Sequence, residues 1–354
     1  MSSITLHDVA RLAGVSIKTV SRVLNNERYV SKAKRQRVEA AVEQLNYRPN
    51  MAARTLSGAK SYLLGFLAPA GAPMYIDRLL RGALDACKKN NYHLVPEIYE
   101  TQTDDVLAKV KALCTSTALD GAVLAPGLCD SPPVLAYLRE RGIPYVGISP
   151  SISIDAPYVQ IDEEGAMYAM TRHLLKLGHE RIAFLGYQPG WMFAERRLQG
   201  FRKAMEEAGV TVPAKYIGES WFTFRFAQER AEKLLGLKEP PTALVAVNDE
   251  TAVGAMVAAY KRGLTVPKDV SITGFDDSPL AALTWPQLTT VRQPMEAMAA
   301  AAAELILKPR SPAAGAPSSL LLPFELVIRA TTGKRLSRRR RSAAPARSRT
   351  NKSA

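Results

Sequence analysis

At helical spacing, Ile17, Lys18 and Arg22 share one face of the stretch 17–24, opposite Val20, Val23 and Leu24. An arginine fork donates two hydrogen bonds to guanine O6 and N7, a lysine donates as a point charge, and Ile17 offers apolar surface to a thymine methyl. Ser16, Thr19, Ser21 and Asn25 suit contacts to phosphates, which fix register without reading sequence. A second polar group sits where apolar runs end, in Val247-Asn248-Asp249 and Phe275-Asp276-Asp277, with Arg197 opening a helical stretch. A carboxylate accepts hydroxyl protons from a vicinal diol, and a guanidinium donates to two oxygens. An aromatic face from Trp221 or Phe222 would cover the apolar side of a sugar ring, whereas Trp191, Trp285 and Phe224 read equally well as packing. Asp276 is read as a ligand residue and Asp277 as a helix cap.

This is the chemistry of recognition. No Gly-x-Gly-x-x-Gly follows a strand, no phosphate-cradling Gly-Lys-Ser/Thr or Gly-x-Ser-x-Gly elbow occurs, and no nucleophile, base and orienter stand together. No catalytic residue, enzyme activity or cofactor is therefore expected. Three scattered cysteines and four histidines supply no metal-ligand spacing, so no metal site is expected and a reducing, cytoplasmic setting is.

The elements that must hold these residues are legible. Thr5 to Asp8 reads as a capping box, Leu6, Val9, Ala10 and Ala13 recur at helical spacing, and Gly14 stops that helix. Ser16 caps a second helix over 17–24, and Ser31 a third over 32–45. Two short helices joined by a tight glycine turn and propped by a third make a helix-turn-helix, whose second helix enters the major groove. As an isolated residue Arg22 would be a solvated cation; in this pattern it is a base reader. From residue 62 onward, apolar runs at 62–67, 93–98, 121–124, 145–148, 181–185, 243–247 and 271–275 alternate with amphipathic helices. That alternation predicts parallel sheets covered on both faces, and the length predicts two Rossmann-like lobes. Ligands bind such folds in a crevice at the carboxyl ends of the strands.

The chain has 354 residues and a net charge of +14, placed at its two ends. Residues 1–60 hold eleven Lys/Arg against four Asp/Glu, 334–354 hold nine against none, and the stretch between is almost neutral. Basic ends meet polyanions such as nucleic acid. The second end, with Arg338-Arg339-Arg340-Arg341, has little to bury and reads as a disordered, nonspecific extension. No run approaches the ~18 apolar residues of a bilayer span, and no secretory leader is seen, so no membrane partner is expected.

Thr5-Leu6-His7-Asp8-Val9-Ala10-Arg11-Leu12-Ala13-Gly14-Val15-Ser16, with Thr19-Val20-Ser21-Arg22-Val23-Leu24-Asn25 and Leu45-Asn46-Tyr47-Arg48-Pro49-Asn50, resembles the lactose-repressor (LacI/GalR) family of transcription factors. The resemblance covers about residues 4 to 333. It implies a periplasmic-binding-protein-like core and a short hinge helix after Pro49 that pairs with a second copy on DNA. In that hinge Asn50 is the cap, Ala53 allows close helix approach, and Leu56 matches the leucine that wedges into the minor groove. It also implies that Arg197, Asn248 and Asp276 bind an effector and that Gln293 lines the cleft. Two departures stand out. The loop Pro69-Ala70-Gly71-Ala72-Pro73-Met74-Tyr75 lacks the usual Asp, Asn, Pro, Phe run, and Ser220-Trp221-Phe222-Thr223-Phe224-Arg225-Phe226 lacks the usual Ser-Gly.

The expected organisation is an all-α helix-turn-helix domain at 1–46, a hinge at 47–60, a two-lobed α/β core at 61–333 with crossings near 158–162, 289–293 and 318–322, and a basic tail at 334–354. The expected function is a homodimeric, nucleoid-associated repressor of a carbohydrate-utilisation operon, binding a pseudo-palindromic operator under control of a sugar or sugar derivative. A regulator responding to a nucleobase or nucleoside is the alternative, and an architectural DNA-binding protein the more distant one. No apolar heptads follow the core, which argues against a zipper-built tetramer.

Overall fold

A computed structural model describes residues 4–24, 29–47, 60–100, 105–189, 191–219, 221–308 and 319–335. Two compact units emerge, one formed by residues 1–63 with 118–120 and one by the rest.

The first unit carries α1 (Leu6–Ala13), α2 (Ile17–Leu24) and α3 (Lys32–Gln44). The Asp8 carboxylate accepts from the Thr5 amide at 2.9 Å and its hydroxyl at 2.7 Å, fixing the start of α1. Gly14 ends it at φ 58°, a left-handed conformation that costs glycine little. Ser16 opens α2 by accepting from the Thr19 amide at 3.2 Å. Ser31, expected to cap α3, makes no side-chain capping bond. Val9, Val20 and Val38, one from each helix, are fully buried at the centre of the unit. Each contributes roughly 1.5–3 kcal/mol, and that triad fixes the presentation of α2.

The second unit has two lobes. Its strands and helices follow as β1 (Leu63–Pro69), α4 (Pro73–Lys89), β2 (His93–Tyr99), α5 (Val106–Ser116), β3 (Gly121–Leu124), α6 (Pro132–Glu140), β4 (Tyr145–Ile148) and β5 (Tyr158–Ile161). The chain then crosses into α7 (Glu163–Lys176), β6 (Ile182–Tyr187), α8 (Met192–Glu207), β7 (Ile217–Glu219), α9 (Phe224–Leu235), β8 (Ala243–Ala246), α10 (Asp249–Lys261), β9 (Ser271–Thr273), α11 (Pro279–Leu283) and β10 (Thr290–Arg292). It returns through α12 (Met295–Leu307) and β11 (Leu320–Leu322), and crosses a third time to β12 (Glu325–Val327). The first sheet runs β2-β1-β3-β4-β5-β11 and the second β7-β6-β8-β9, while β10 and β12 form an antiparallel pair. Strands β1, β3, β4, β5 and β11 are mutually parallel, as are all four of the second sheet. In each sheet the strand order reverses beside a central strand, β1 or β6, which opens a crevice at the carboxyl ends.

Two glycines set how closely helices approach. A Cβ on Gly82 of α4 would lie 2.0 Å from the Glu296 carbonyl oxygen of α12, and one on Gly200 of α8 would lie 2.1 Å from that of Glu164 in α7. Only a bare backbone permits either contact. Five strands were not expected: β5, β7, β10, β11 and β12 have three or four residues each, too few to display an alternation.

Candidate functional site: a polar helix face and an interlobe cleft

On α2, Ile17, Lys18 and Arg22 are exposed while Val20 and Val23 are buried. The side chains expected to read bases therefore project away from the three-helix core. Ser16 and Thr19 hydroxyls bond each other at 2.9 Å, and Thr19 and Ser21 are half-buried at the margin. Asn25, Asn50, Ala53 and Leu56 lie outside the described residues, as does most of the basic tail.

In the core, the close approach allowed by Gly200 brings Arg197, one turn earlier on α8, against Glu163 at the start of α7. Arg197 is buried; its Nε donates to Glu163 Oε2 at 2.6 Å, and Glu163 is itself only 4% exposed. Its Nη1 donates to the Val247 carbonyl at the end of β8, and its Nη2 stands 3.9 Å from Asp276 Oδ1. The guanidinium carbon stands over the Phe275 ring, 3.6 Å from its centroid, with Phe193 at 5.2 Å. Two departures from expectation follow. Arg197 sits in the second turn of α8 and does not open it. Much of its donor capacity is already committed within the protein.

Asp276 follows β9 and has a φ of 112°. Its Oδ1 accepts from Gln293 Nε2 at 2.7 Å. Gln293 is fully buried, and its Oε1 has no partner within the described residues. Beside this pair lies Asp249, the first residue of α10, almost wholly buried. Asp249 accepts from Thr290 Oγ1 and from the Ser278 amide, both at 2.6 Å. Burial raises both carboxyls above the usual carboxylate range; the charge of Asp276 adds to the rise at Asp249, while Arg197 draws Asp276 back. Tyr75, near the start of α4, is pushed up by burial and by Glu163 and Asp276. Glu163, Tyr75, Asp249, Asp276, Arg197 and Gln293 thus share one electrostatic neighbourhood.

The aromatic wall differs from the expected one. Trp191, Phe193 and Phe222 pack on one another with ring centroids 4.9–5.8 Å apart. Trp221 is 42% exposed and joins no ring contact among the described residues, so Phe222 is the aromatic that meets this cluster. Trp285, read equally as packing, is 88% exposed, and Phe224 is exposed as well.

Asn248 spends its Oδ1 on capping α10, accepting from the Thr251 amide at 2.8 Å, and its Nδ2 donates to the Phe222 carbonyl at 3.4 Å. Asp277 caps nothing. Its carboxylate binds Arg292 Nε and Arg329 Nη2, each at 2.7 Å, and Ser278 occupies the cap position of α11. Sequence reasoning missed Glu163, Tyr75, Asp249 and Phe193. A signal existed for two of them: Asp249 adjoins a strand end, and Tyr75 closes the atypical loop after β1. Nothing local marks Glu163 as the partner of an arginine 34 residues away. Among the described residues no cluster of His, Cys, Asp and Glu is arranged to hold a metal.

Residues 5–50 match the family described as bacterial regulatory proteins, lacI family, and residues 171–332 match the periplasmic binding protein-like domain. Over 334 residues the chain is 34% identical to the HTH-type transcriptional regulator DegA of Bacillus subtilis (strain 168), spanning 93% of this chain and 98% of that protein. The solved lac repressor dimer bound to operator and the anti-inducer ONPF is similar with a TM-score of 0.74 and 28% identity, over 94% of this chain and 100% of that one. A complex of the transcriptional regulator CelR with cellobiose is similar with a TM-score of 0.70 and 27% identity, over 93% and 99%.

Proposed function

Because the chain belongs to the lacI family of bacterial regulatory proteins, and is thus a DNA-binding transcriptional regulator, we propose that it represses a carbohydrate-utilisation operon and that a sugar or sugar derivative controls its grip on the operator. The observation that carries the effector reading is the cleft group of Asp276, Gln293 and Arg197. It offers a part-buried carboxylate, a buried amide oxygen with no partner among the described residues, and a buried guanidinium that lies against Phe193 of the ring cluster formed with Phe222 and Trp191. A polyhydroxylated ring has donors for the two oxygens, an oxygen for the cation and an apolar face for the rings. Asn248 and Trp221 stand at the margin of this proposal, the first through its remaining amide hydrogens, the second through an exposed ring. The resemblance to a cellobiose-bound regulator is in keeping with it.

The headpiece acts as one of two. A single helix-turn-helix reads a half-site, so a two-fold dimer on a pseudo-palindrome is the working form, as in the similar lac repressor dimer on operator. Arg22 and Lys18 read bases, Ile17 meets a methyl, and Ser16, Thr19, Ser21 and Asn25 hold phosphates. Asn50, Ala53 and Leu56 supply the hinge wedge. No described helix is long and apolar enough to cross a membrane, and the proposed setting is the nucleoid in the cytoplasm.

The experiment is selection of genomic DNA fragments by the full chain, followed by anisotropy titration of the selected site with saccharides, nucleobases and nucleosides. The expected outcome is a pseudo-palindromic site whose affinity changes at least about tenfold with one saccharide, equivalent to about 1.4 kcal/mol of coupling. A response to nucleobases or nucleosides alone would replace the sugar. Equal binding to every duplex, whatever metabolite is present, would overturn the reading altogether.

A further inference from the structure

We propose that Arg78 is a positioning residue that reaches across the cleft and sets the direction of the Asp276 carboxylate. It rests on the proposed role of Asp276 toward the effector. Arg78 lies on α4, one turn before Gly82, the residue whose bare backbone lets α4 touch α12. That approach places Arg78 beside Glu296 of α12. The two form a bidentate pair, Nε to Oε1 at 2.8 Å and Nη2 to Oε2 at 2.7 Å. Both helices belong to the first lobe. The fork leaves Nη1 pointing toward the second lobe, where it donates to the backbone carbonyls of Asp276 at 3.1 Å and Asp277 at 3.2 Å.

Those carbonyls belong to an unusual turn. Asp276 has φ 112° and Asp277 φ 50°, two consecutive non-glycine residues in the left-handed region. Such a turn persists only where its surroundings hold it. From its own side, the Asp276 amide donates to the Val291 carbonyl at 2.8 Å and the Asp277 carboxylate is held by Arg292 and Arg329. From the other lobe, Arg78 holds the carbonyls. With its amide held by the Val291 carbonyl and its own carbonyl held by Arg78, Asp276 has φ and ψ pinned from both sides, and that sets the direction in which its side chain leaves Cα toward Gln293 and Arg197. Glu296 matters because it fixes the guanidinium plane; a lysine has one nitrogen and cannot serve carboxylate and carbonyls in the same geometry.

The consequence is a link between effector site and lobe angle. Hydrogen bonds weaken steeply once the donor moves by a fraction of an ångström or tilts. Any hinge motion at the crossing strands that shifts α4 against β9 therefore releases the turn. A ligand that reorients Asp276 pushes on the same contact from the cleft.

Hydrogen–deuterium exchange of the full chain, with no ligand added, tests this. In Arg78→Met, exchange in a peptide covering 274–280 is expected to rise at least tenfold over wild type, with the strands β6 and β8 unchanged. In Glu296→Gln, whose remaining amide oxygen still accepts from Arg78 Nε and so keeps the guanidinium plane and the Nη1 contacts to the carbonyls, the same peptide is expected to stay within about threefold while α4 and α12, having lost the second bond of the pair, exchange faster. A purely structural role in pairing α4 with α12 would confine the change in Arg78→Met to those two helices, and that result overturns the proposal. So does equal opening of 274–280 in both variants. Should Arg78→Met not fold, Arg78→Lys keeps the charge and decides the matter: partial opening of 274–280 supports the role, and wild-type exchange there refutes it. Since neither effector nor DNA enters the measurement, its failure is distinguishable from failure of the sugar reading.

Discussion

Replacing Arg197 by leucine removes four interactions at once: the 2.6 Å bond to Glu163, the donation to the Val247 carbonyl, the attraction to Asp276, and the contact with the Phe275 ring. What remains is Glu163 at 4% exposure with no cation beside it. Breaking a buried pair by deleting one partner costs about 3–5 kcal/mol, because the surviving charge is stranded away from water. With a urea slope of about 3 kcal/mol per molar, the midpoint should fall by roughly 1–1.7 M at about pH 8. All three tryptophans, Trp191, Trp221 and Trp285, lie in the second lobe, so intrinsic fluorescence reports the unfolding of the lobe that carries the pair. The variant Arg197→Leu with Glu163→Leu, which removes both charges, should recover at least about 2 kcal/mol relative to the single change. A loss below about 1 kcal/mol, or a double variant no better than the single one, would refute the claim that this pair is a buried, mutually dependent unit. It also follows that an Arg197 variant confounds effector response with folding.

Asp276→Asn is the cleaner probe of the cleft: Oδ1 can still accept from Gln293, so operator binding should persist while the response to saccharide is lost in an anisotropy titration, and an intact response would count against Asp276. Gly200→Ala should lower stability by about 1–3 kcal/mol in urea titration, because the new methyl would press on the Glu164 carbonyl at 2.1 Å; a change under about 0.5 kcal/mol would mean that α7 and α8 can part freely. Asp249 and Asp276 are both raised by burial, so the native state holds protons that the unfolded chain has released, and their contribution to stability falls as pH rises from the ordinary carboxylate range toward neutrality and beyond. His173 and His179 are lowered, first by burial, so their contribution is present above about pH 6.5 and lost as pH falls below it. Melting temperature should therefore decline from about pH 6.5 to about pH 8.5, less steeply in Asp249→Asn; equal slopes would show that Asp249 is not the group responsible.

The sequence determined the local part of this protein. The capping box at Thr5, the glycine turn at Gly14 and the periodic Val9, Val20 and Val38 are near-neighbour effects, and they place Ile17, Lys18 and Arg22 on the outer face of α2 before any tertiary contact is known. The long apolar runs likewise announced two parallel sheets, because strands buried on both faces need a continuous apolar segment. Tertiary structure decided the pairing of charges. Nothing within a few residues of Arg197 names Glu163, and nothing near Arg78 names Glu296 or the carbonyls of Asp276 and Asp277. Those partners meet because Gly200 and Gly82 permit helices to touch, a contact set by the missing Cβ and by chain segments up to 218 residues apart. For the same reason Asp277, a plausible cap by position, became the partner of Arg292 and Arg329. A carboxylate's role follows from which cations and amides the fold brings within about 3 Å of it, and that distance is not written in its neighbours along the chain.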